Sequence, residues 1–180
     1  MIGSGLHLKN INQDLPYIIS TSTLVLQTIR KKNGTETLIT ENDRTFTHPR
    51  KSTHIIRAAC QHYGSSFKVA TSHAKRILFN RHKVPILIAF DRGIPLIMIP
   101  TMSATSEQNI WIAFHAIVNF KAGEFGHTVI HLINNESIRV NASEATIQRQ
   151  IALAYILQLD YQNKFSHLNG SWFPHRPHMY

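Results

Sequence analysis

The densest set of groups able to bind an anion lies in the middle of the chain. Ser65, Ser66, Lys68, Thr71, Lys75 and Arg76 mix hydroxyls with cations, and Arg81 and Lys83 extend the series. Hydroxyls donate to phosphate oxygens, while Lys and Arg release condensed counterions when they meet a phosphate backbone. Around them, Arg50, Lys51 and Arg57 are also basic, and no Asp or Glu occurs between Arg50 and Lys83. A run of one charge sign is unfavourable to fold unless an anion compensates it. With a formal net charge of +9 over 180 residues, nucleic acid is the first partner to consider. The plainer alternative is a solvated basic helix packed on a sheet.

Other chemistry finds less support. The chain has ten carboxylates, and none of them cluster as a two-metal nuclease requires. There is no nucleophile elbow, Walker-type glycine loop or dinucleotide fingerprint. Cys60, the single cysteine, excludes an internal disulfide and a Cys-based zinc site, and reads as a small buried residue. Twelve histidines invite a metal, yet no H-E-x-x-H occurs. His127 and His131 share a face on either a helix or a strand, and His175 and His178 fall near the C-terminus. No catalytic residue, metal or cofactor is expected. A His-dependent, metal-assisted hydrolase of nucleic acid is the rival from another class.

The elements that position the basic set follow from periodicity. Tyr17–Ile29 is rich in β-formers, Asn33-Gly34 signals a turn, and Thr37–Thr40 is a return strand. Glu41–Pro49 reads as a polar connector. Ser52 or Thr53 can cap a helix to about His62, and Gly64 is placed to end it. Ser65 or Ser66 can cap a second helix to about Leu78, with Phe67, Ala70, Ala74, Ile77 and Leu78 on one face and Lys68, Ser72, Lys75 and Arg76 on another. The pair resembles a helix-turn-helix with a basic second helix.

Strand-like runs at Pro85–Phe90, Ile94–Ile99, Asn109–Phe120, His127–Ile133 and Glu136–Asn141, the last two a hairpin about Asn134-Asn135, then read as an antiparallel meander. Pro100–Gln108 is a polar loop between them. Asn141 with Glu144 resembles a capping box opening a helix to about Gln162, its stripe carried by Ile147, Ile151, Ala154, Tyr155 and Leu159. This helix is expected to pack on the sheet or on another subunit. The expected class is α+β: an N-terminal hairpin, two short basic helices around Gly64, a β-meander and a C-terminal helix. Residues 1–14 read as a loose arm, 15–165 as one domain and 166–180 as a mobile tail. The apolar runs are shorter than the ~20 residues a membrane span needs, and the N-terminus lacks the apolar core of a signal peptide. A cytoplasmic protein with no membrane partner is expected.

Several stretches in this order and spacing resemble one family. They are Cys60-Gln61-His62-Tyr63-Gly64-Ser65-Ser66-Phe67, Pro85-Ile86-Leu87-Ile88, Pro100-Thr101-Met102-Ser103-Ala104-Thr105, and Trp111 to Phe120. The chain resembles the ComK family of competence transcription factors of Gram-positive bacteria, over roughly residues 16–165. The resemblance implies a sequence-specific activator of DNA-uptake genes that binds A/T-rich promoter repeats in double-stranded DNA as a homo-oligomer. It implies approach through the minor groove, whose narrow, electronegative form in A/T-rich sequence attracts inserted Arg or Lys. RNA polymerase would be an indirect partner, and the protein would sit on the nucleoid when bound. Ser65, Ser66, Lys68, Thr71, Lys75, Arg76, Arg81, Lys83, Thr101, Ser103 and Thr105 are the DNA-contact candidates. Ser65 and Ser66 can serve equally as helix caps.

Three features depart from the family pattern. Ala70 and Thr71 stand where the family has basic residues, and Ser106 and Glu107 follow the loop where a basic residue is expected. Ser171-Trp172-Phe173-Pro174 is only a faint echo of the segment that recruits a protease adaptor, so adaptor control stays open. A major-groove helix-turn-helix regulator is the alternative among DNA binders.

Overall fold

Thr23, Leu24, Val25 and Leu26 open β1 (Thr23–Lys31) as a buried run, and the chain returns as β2 (Gly34–Glu41). A computed structural model describes residues 16–32 and 34–170, with side chains described through residue 164. Residues 1–15, Asn33 and residues 171–180 lie outside the described residues, and with them the expected arm and the Ser171–Pro174 segment. Gly34 pairs with Lys31 at φ +139°, so it opens β2 and is not a turn residue as the Asn-Gly signal implies.

The connector after β2 contains a strand that its composition conceals, β3 (Thr45–His48), paired along β2. Thr45, Thr47 and His48 are polar, and pairing with a preformed neighbour, not burial, makes this segment extended.

Farther along, β4 (Ile86–Asp91) and β5 (Ile94–Pro100) form the expected hairpin. Arg92 and Gly93 turn between them, both at positive φ, which matches the right-handed strand twist. The stretch Asn109–Phe120 is not one strand. β6 (Ile110–Ala113) ends in a 3-10 turn at Phe114–Ala116, and β7 (Ile117–Ala122) leaves for a second sheet. Tertiary bonds fix this corner: His115 Nε2–H donates to the Thr21 carbonyl at 3.0 Å, and Ile133 N–H donates to the Ala116 carbonyl at 3.0 Å.

Two sheets result. The larger has the order β3-β2-β1-β6-β5-β4, and the smaller joins β7 to β8 (Thr128–Leu132) and β9 (Ser137–Val140). The expected meander is therefore split, and β6 seals the N-terminal hairpin to the β4–β5 hairpin. Among the described residues all pairings are antiparallel, and with three helices the class is α+β as expected.

The helices are α1 (Ser52–His62), α2 (Phe67–Ile77) and α3 (Glu144–Gly170). α1 and α2 pack on β4, α1 also reaches β1, and α3 packs on β5 and β7. β6 is buried throughout and β5 along most of its length, as strands covered on both faces must be. α1 buries Ile55, Ile56, Ala59 and Cys60. Its cap position is Lys51, not Ser52 or Thr53; Ser52 is buried and bonds the Thr28 hydroxyl at 2.9 Å.

α3 opens at Ser143, whose hydroxyl accepts from Thr146 N–H at 3.3 Å, two residues beyond the Asn141 cap that the sequence implies. Its buried face runs through Ile147, Gln150, Ala154 and Leu157, leaving Tyr155, Ile156 and Leu159 exposed. The expected stripe included Tyr155 and Leu159. Polar Gln150 disguises the real one, being buried because its Nε2–H donates to the Lys83 carbonyl at 3.0 Å. Among the described residues no helix is long and apolar enough to cross a membrane.

Candidate nucleic-acid interface

Ser66, Phe67 and the helix they start set the geometry. The Ser66 hydroxyl accepts from Val69 N–H at 3.2 Å, which makes Ser66 the N-cap and Ser65 a link residue. Ser65 N–H donates to the Cys60 carbonyl at 2.9 Å across Gly64, whose φ of +77° suits a residue without a side chain. α2 then buries Ala70, Ala74 and the following Leu78 against the sheet and leaves its opposite side in water.

That outward side carries the cations. Lys68, Ser72 and Arg76 are exposed and Lys75 is half-buried. Lys68, Val69, Ser72, His73 and Arg76 line one shallow depression, and Ser72, Lys75, Arg76, Phe79 and Asn80 line another. Arg81 is exposed and Lys83 half-buried on the way to β4. Among the described residues none of Lys68, Lys75, Arg76, Arg81 and Lys83 forms an ion pair. The ion pairs lie elsewhere: Arg30 and Lys51 with Glu107, Lys31 with Glu36, Arg44 with Glu41, and Lys164 with Asp160.

The remaining candidates divide. Thr71 is half-buried and its hydroxyl donates to the Phe67 carbonyl at 2.7 Å, so it serves the helix itself. Thr101 is 2% exposed; its hydroxyl accepts from Ile110 N–H at 3.1 Å and pins the loop to β6. Ser103 and Thr105 are exposed and bond each other at 3.1 Å. Glu107 holds this loop to Lys51 at the start of α1, whereas Ser65 and Ser66 follow its other end, about 16 Å away along eleven residues of helix. The candidates are thus strung along the molecule instead of converging on one point.

The two most specific resemblance motifs do meet. The Phe67 ring packs edge-on to Trp111 with centroids 6.5 Å apart, and the Arg57 guanidinium lies 5.6 Å from the Phe67 centroid. Trp111 is fully buried, so this contact ties the start of α2 to the central strand β6. Phe67 and Trp111 act as scaffold: the first is half-buried, the second wholly buried, and together they aim the basic face.

His73 and Cys60 favour their neutral forms. Burial, then the charges of Lys164 and Arg76, hold His73 below the ordinary histidine value, with Asp160 opposing them. Its Nδ1 hydrogen-bonds the Tyr161 hydroxyl. Cys60 is wholly buried and its thiol is pushed up to about 11 by that burial, the reverse of an activated nucleophile. His131 Nδ1 bonds the Ser137 hydroxyl at 2.7 Å and Arg139 reaches His127 at 3.3 Å. Among the described residues no three His, Cys, Asp or Glu side chains are grouped to hold a metal. The feature that sequence reasoning missed is Phe79, 89% exposed beside Lys75 and Arg76.

Fold and site together define a basic α+β domain that lays a short helix pair on a six-stranded sheet. The family model described as ComK protein matches residues 15–166, and the chain belongs to the ComK family. A curated relative, the competence transcription factor of Bacillus subtilis (strain 168), is 26% identical over 129 residues. The match covers 72% of this chain and 66% of that protein, so the chain spans just under two thirds of the relative's length. No solved structure matches the chain.

Proposed function

We propose that this chain is a competence transcription factor that binds double-stranded DNA through the outward face of α2. The observation that carries the reading is the row of cations on and after α2 that forms no ion pair among the described residues. Lys68, Lys75, Arg76 and Arg81 contact phosphates, with Lys83 beside them. Ser65 and Ser66 set the helix start, and Ser103 and Thr105 add hydroxyl contacts at the loop. Thr71 and Thr101 support the surface from within. The preferred target is an A/T-rich promoter repeat entered from the minor groove, where Arg and Lys read groove width. The protein acts in the cytoplasm at the nucleoid, reaches RNA polymerase indirectly, and binds as a homo-oligomer. Tyr155, Ile156 and Leu159 supply the apolar face on α3 that a second copy would cover.

Promoter binding measured across a salt series tests this. With about four phosphate contacts, the log–log slope of affinity against salt is about −4, and the Lys75→Ala/Arg76→Ala double variant makes it shallower by about two. An unchanged affinity and slope in that variant would remove α2 from the interface. A second reading draws on the position of α2 as the second helix of a pair, which suits a major groove. Displacement of the protein by distamycin supports the minor groove; indifference to it supports the major.

A further inference from the structure

Phe79 is held where the fold has no use for it. After Leu78, Asn80 N–H donates to the Lys75 carbonyl at 2.7 Å, the six-to-one bond of a helix-ending Schellman motif. The residue inside that loop must be left-handed, and glycine is its usual occupant because a Cβ there crowds the backbone. Here the position is Phe79 at φ 54°, followed by Asn80 at φ 61°. A bulky aromatic at positive φ is a genuine outlier. No core contact compensates it, since the side chain is 89% exposed. Strain and exposure are both unfavourable, and a strained residue kept against both points to a task outside the folded core.

Its surroundings say which task. Phe79 lines a depression with Ser72, Lys75, Arg76 and Asn80, and exposed Arg81 follows two residues later. An apolar ring standing among cations, with no carboxylate in the whole Arg50–Lys83 stretch, is the chemistry of a wedge that enters stacked bases while neighbouring charges grip the backbone. Phe125 offers a contrast. It is 88% exposed at φ 54° in the turn before β8, but Glu124 adjoins it and breaks the positive field.

We propose that Phe79 inserts between adjacent base pairs of duplex DNA and kinks it, with Lys75 and Arg76 on the flanking phosphates. The proposal rests on the DNA-binding reading above and adds to it a residue, a mode of contact and a deformation of the DNA. Pyrimidine–purine steps such as TA unstack most readily, so an A/T-rich site carrying TA steps is preferred over a rigid A-tract.

The test uses the full chain and an A/T-rich duplex labelled at both ends for energy transfer, with 2-aminopurine beside a central TA step. The wild type shortens the end-to-end distance and raises 2-aminopurine fluorescence as the base unstacks. Phe79→Ala binds about tenfold more weakly and loses both signals, since aromatic–base contact of this kind carries roughly that share of affinity. Phe79→Met, which keeps an apolar wedge, retains the kink. Phe79→Gly loses it as well, and because glycine relieves the backbone at this position, that loss cannot come from a disordered helix end. If Phe79→Ala binds with wild-type affinity, bend and fluorescence, the wedge is wrong while DNA binding stands. If the wild type forms no complex with the duplex, the DNA-binding reading itself fails.

Discussion

Two helices of this molecule end in the same six-to-one hydrogen bond with opposite residues inside it. At the end of α1, Ser65 N–H reaches the Cys60 carbonyl and Gly64 N–H the Gln61 carbonyl, with Gly64 at φ +77°. At the end of α2, Asn80 N–H reaches the Lys75 carbonyl around Phe79 at φ 54°. The first end obeys the backbone: glycine pays no Cβ penalty in the left-handed region. The second overrides it, at a cost of roughly 1–2 kcal/mol. Local rules are broken where something beyond folding is selected, and here the broken rule sits among the cations of α2. The α1 end serves the scaffold and the α2 end serves the surface.

Removing both Lys75 and Arg76 should weaken promoter binding roughly fiftyfold at about 0.1 M salt, because two counterion releases are lost. The same double change should leave the melting temperature nearly untouched, as neither cation is ion-paired among the described residues. Making the α2 end resemble the α1 end, by Phe79→Gly, should cost about tenfold in affinity yet raise stability by roughly 0.5–1 kcal/mol. A variant that loses both affinity and stability would show that Phe79 belongs to the scaffold after all.

The reverse exchange probes the other end. No atom lies within 4 Å of a Cβ built on Gly64, so Gly64→Ala meets only backbone strain. It should lower stability by about 1 kcal/mol, or some 2–4 °C in melting temperature, without changing the salt slope. Ser66→Ala should cost a similar amount through the lost N-cap and leave affinity within twofold per folded molecule. A larger affinity loss would give Ser66 a direct contact with DNA.

The smallest expected effect is on pH. Burial lowers His73 and His115 from the ordinary value of 6.5. Each binds its proton more weakly folded than unfolded, so the stability they contribute is complete above about 6.5 and declines as pH falls below it. Thermal unfolding followed from pH 7.5 to 5.5 should show this decline. His115→Gln, which keeps a donor for the Thr21 carbonyl, should flatten it; an unaltered slope would assign the pH dependence to other groups.

The sequence made the helix pair legible because α2 has a clean face and a true cap. Ala70, Ala74 and Leu78 recur at helical spacing, and Ser66 caps as its position implies. Hairpins were legible wherever glycine or a short polar turn separated apolar runs, as at Arg92-Gly93. What stayed hidden depends on partners distant in the chain. β3 is polar and becomes a strand only by pairing with β2. The corner at Phe114–Ala116 depends on Thr21 and Ile133. The basic surface was readable as charge, but the roles of its hydroxyls were not: composition cannot distinguish a Thr that meets phosphate from Thr101, whose hydroxyl bonds an inner strand. Phe79 was passed over because a phenylalanine next to Leu78 reads as one more core residue.

The strand order of the large sheet also bears on how the chain must be assembled during synthesis. β6 is the last of the six strands in sequence, yet it lies between β1 and β5. Until Ile110–Ala113 has emerged, the flanking hairpins each present an open edge, Thr23–Lys31 on one and the apolar Ile94–Pro100 on the other. Unpaired edges of this kind recruit strands from other chains. A ribosome stalled before residue 110 therefore holds two adhesive hairpins and no means of joining them, and four residues of newly made chain turn that aggregation hazard into a closed sheet.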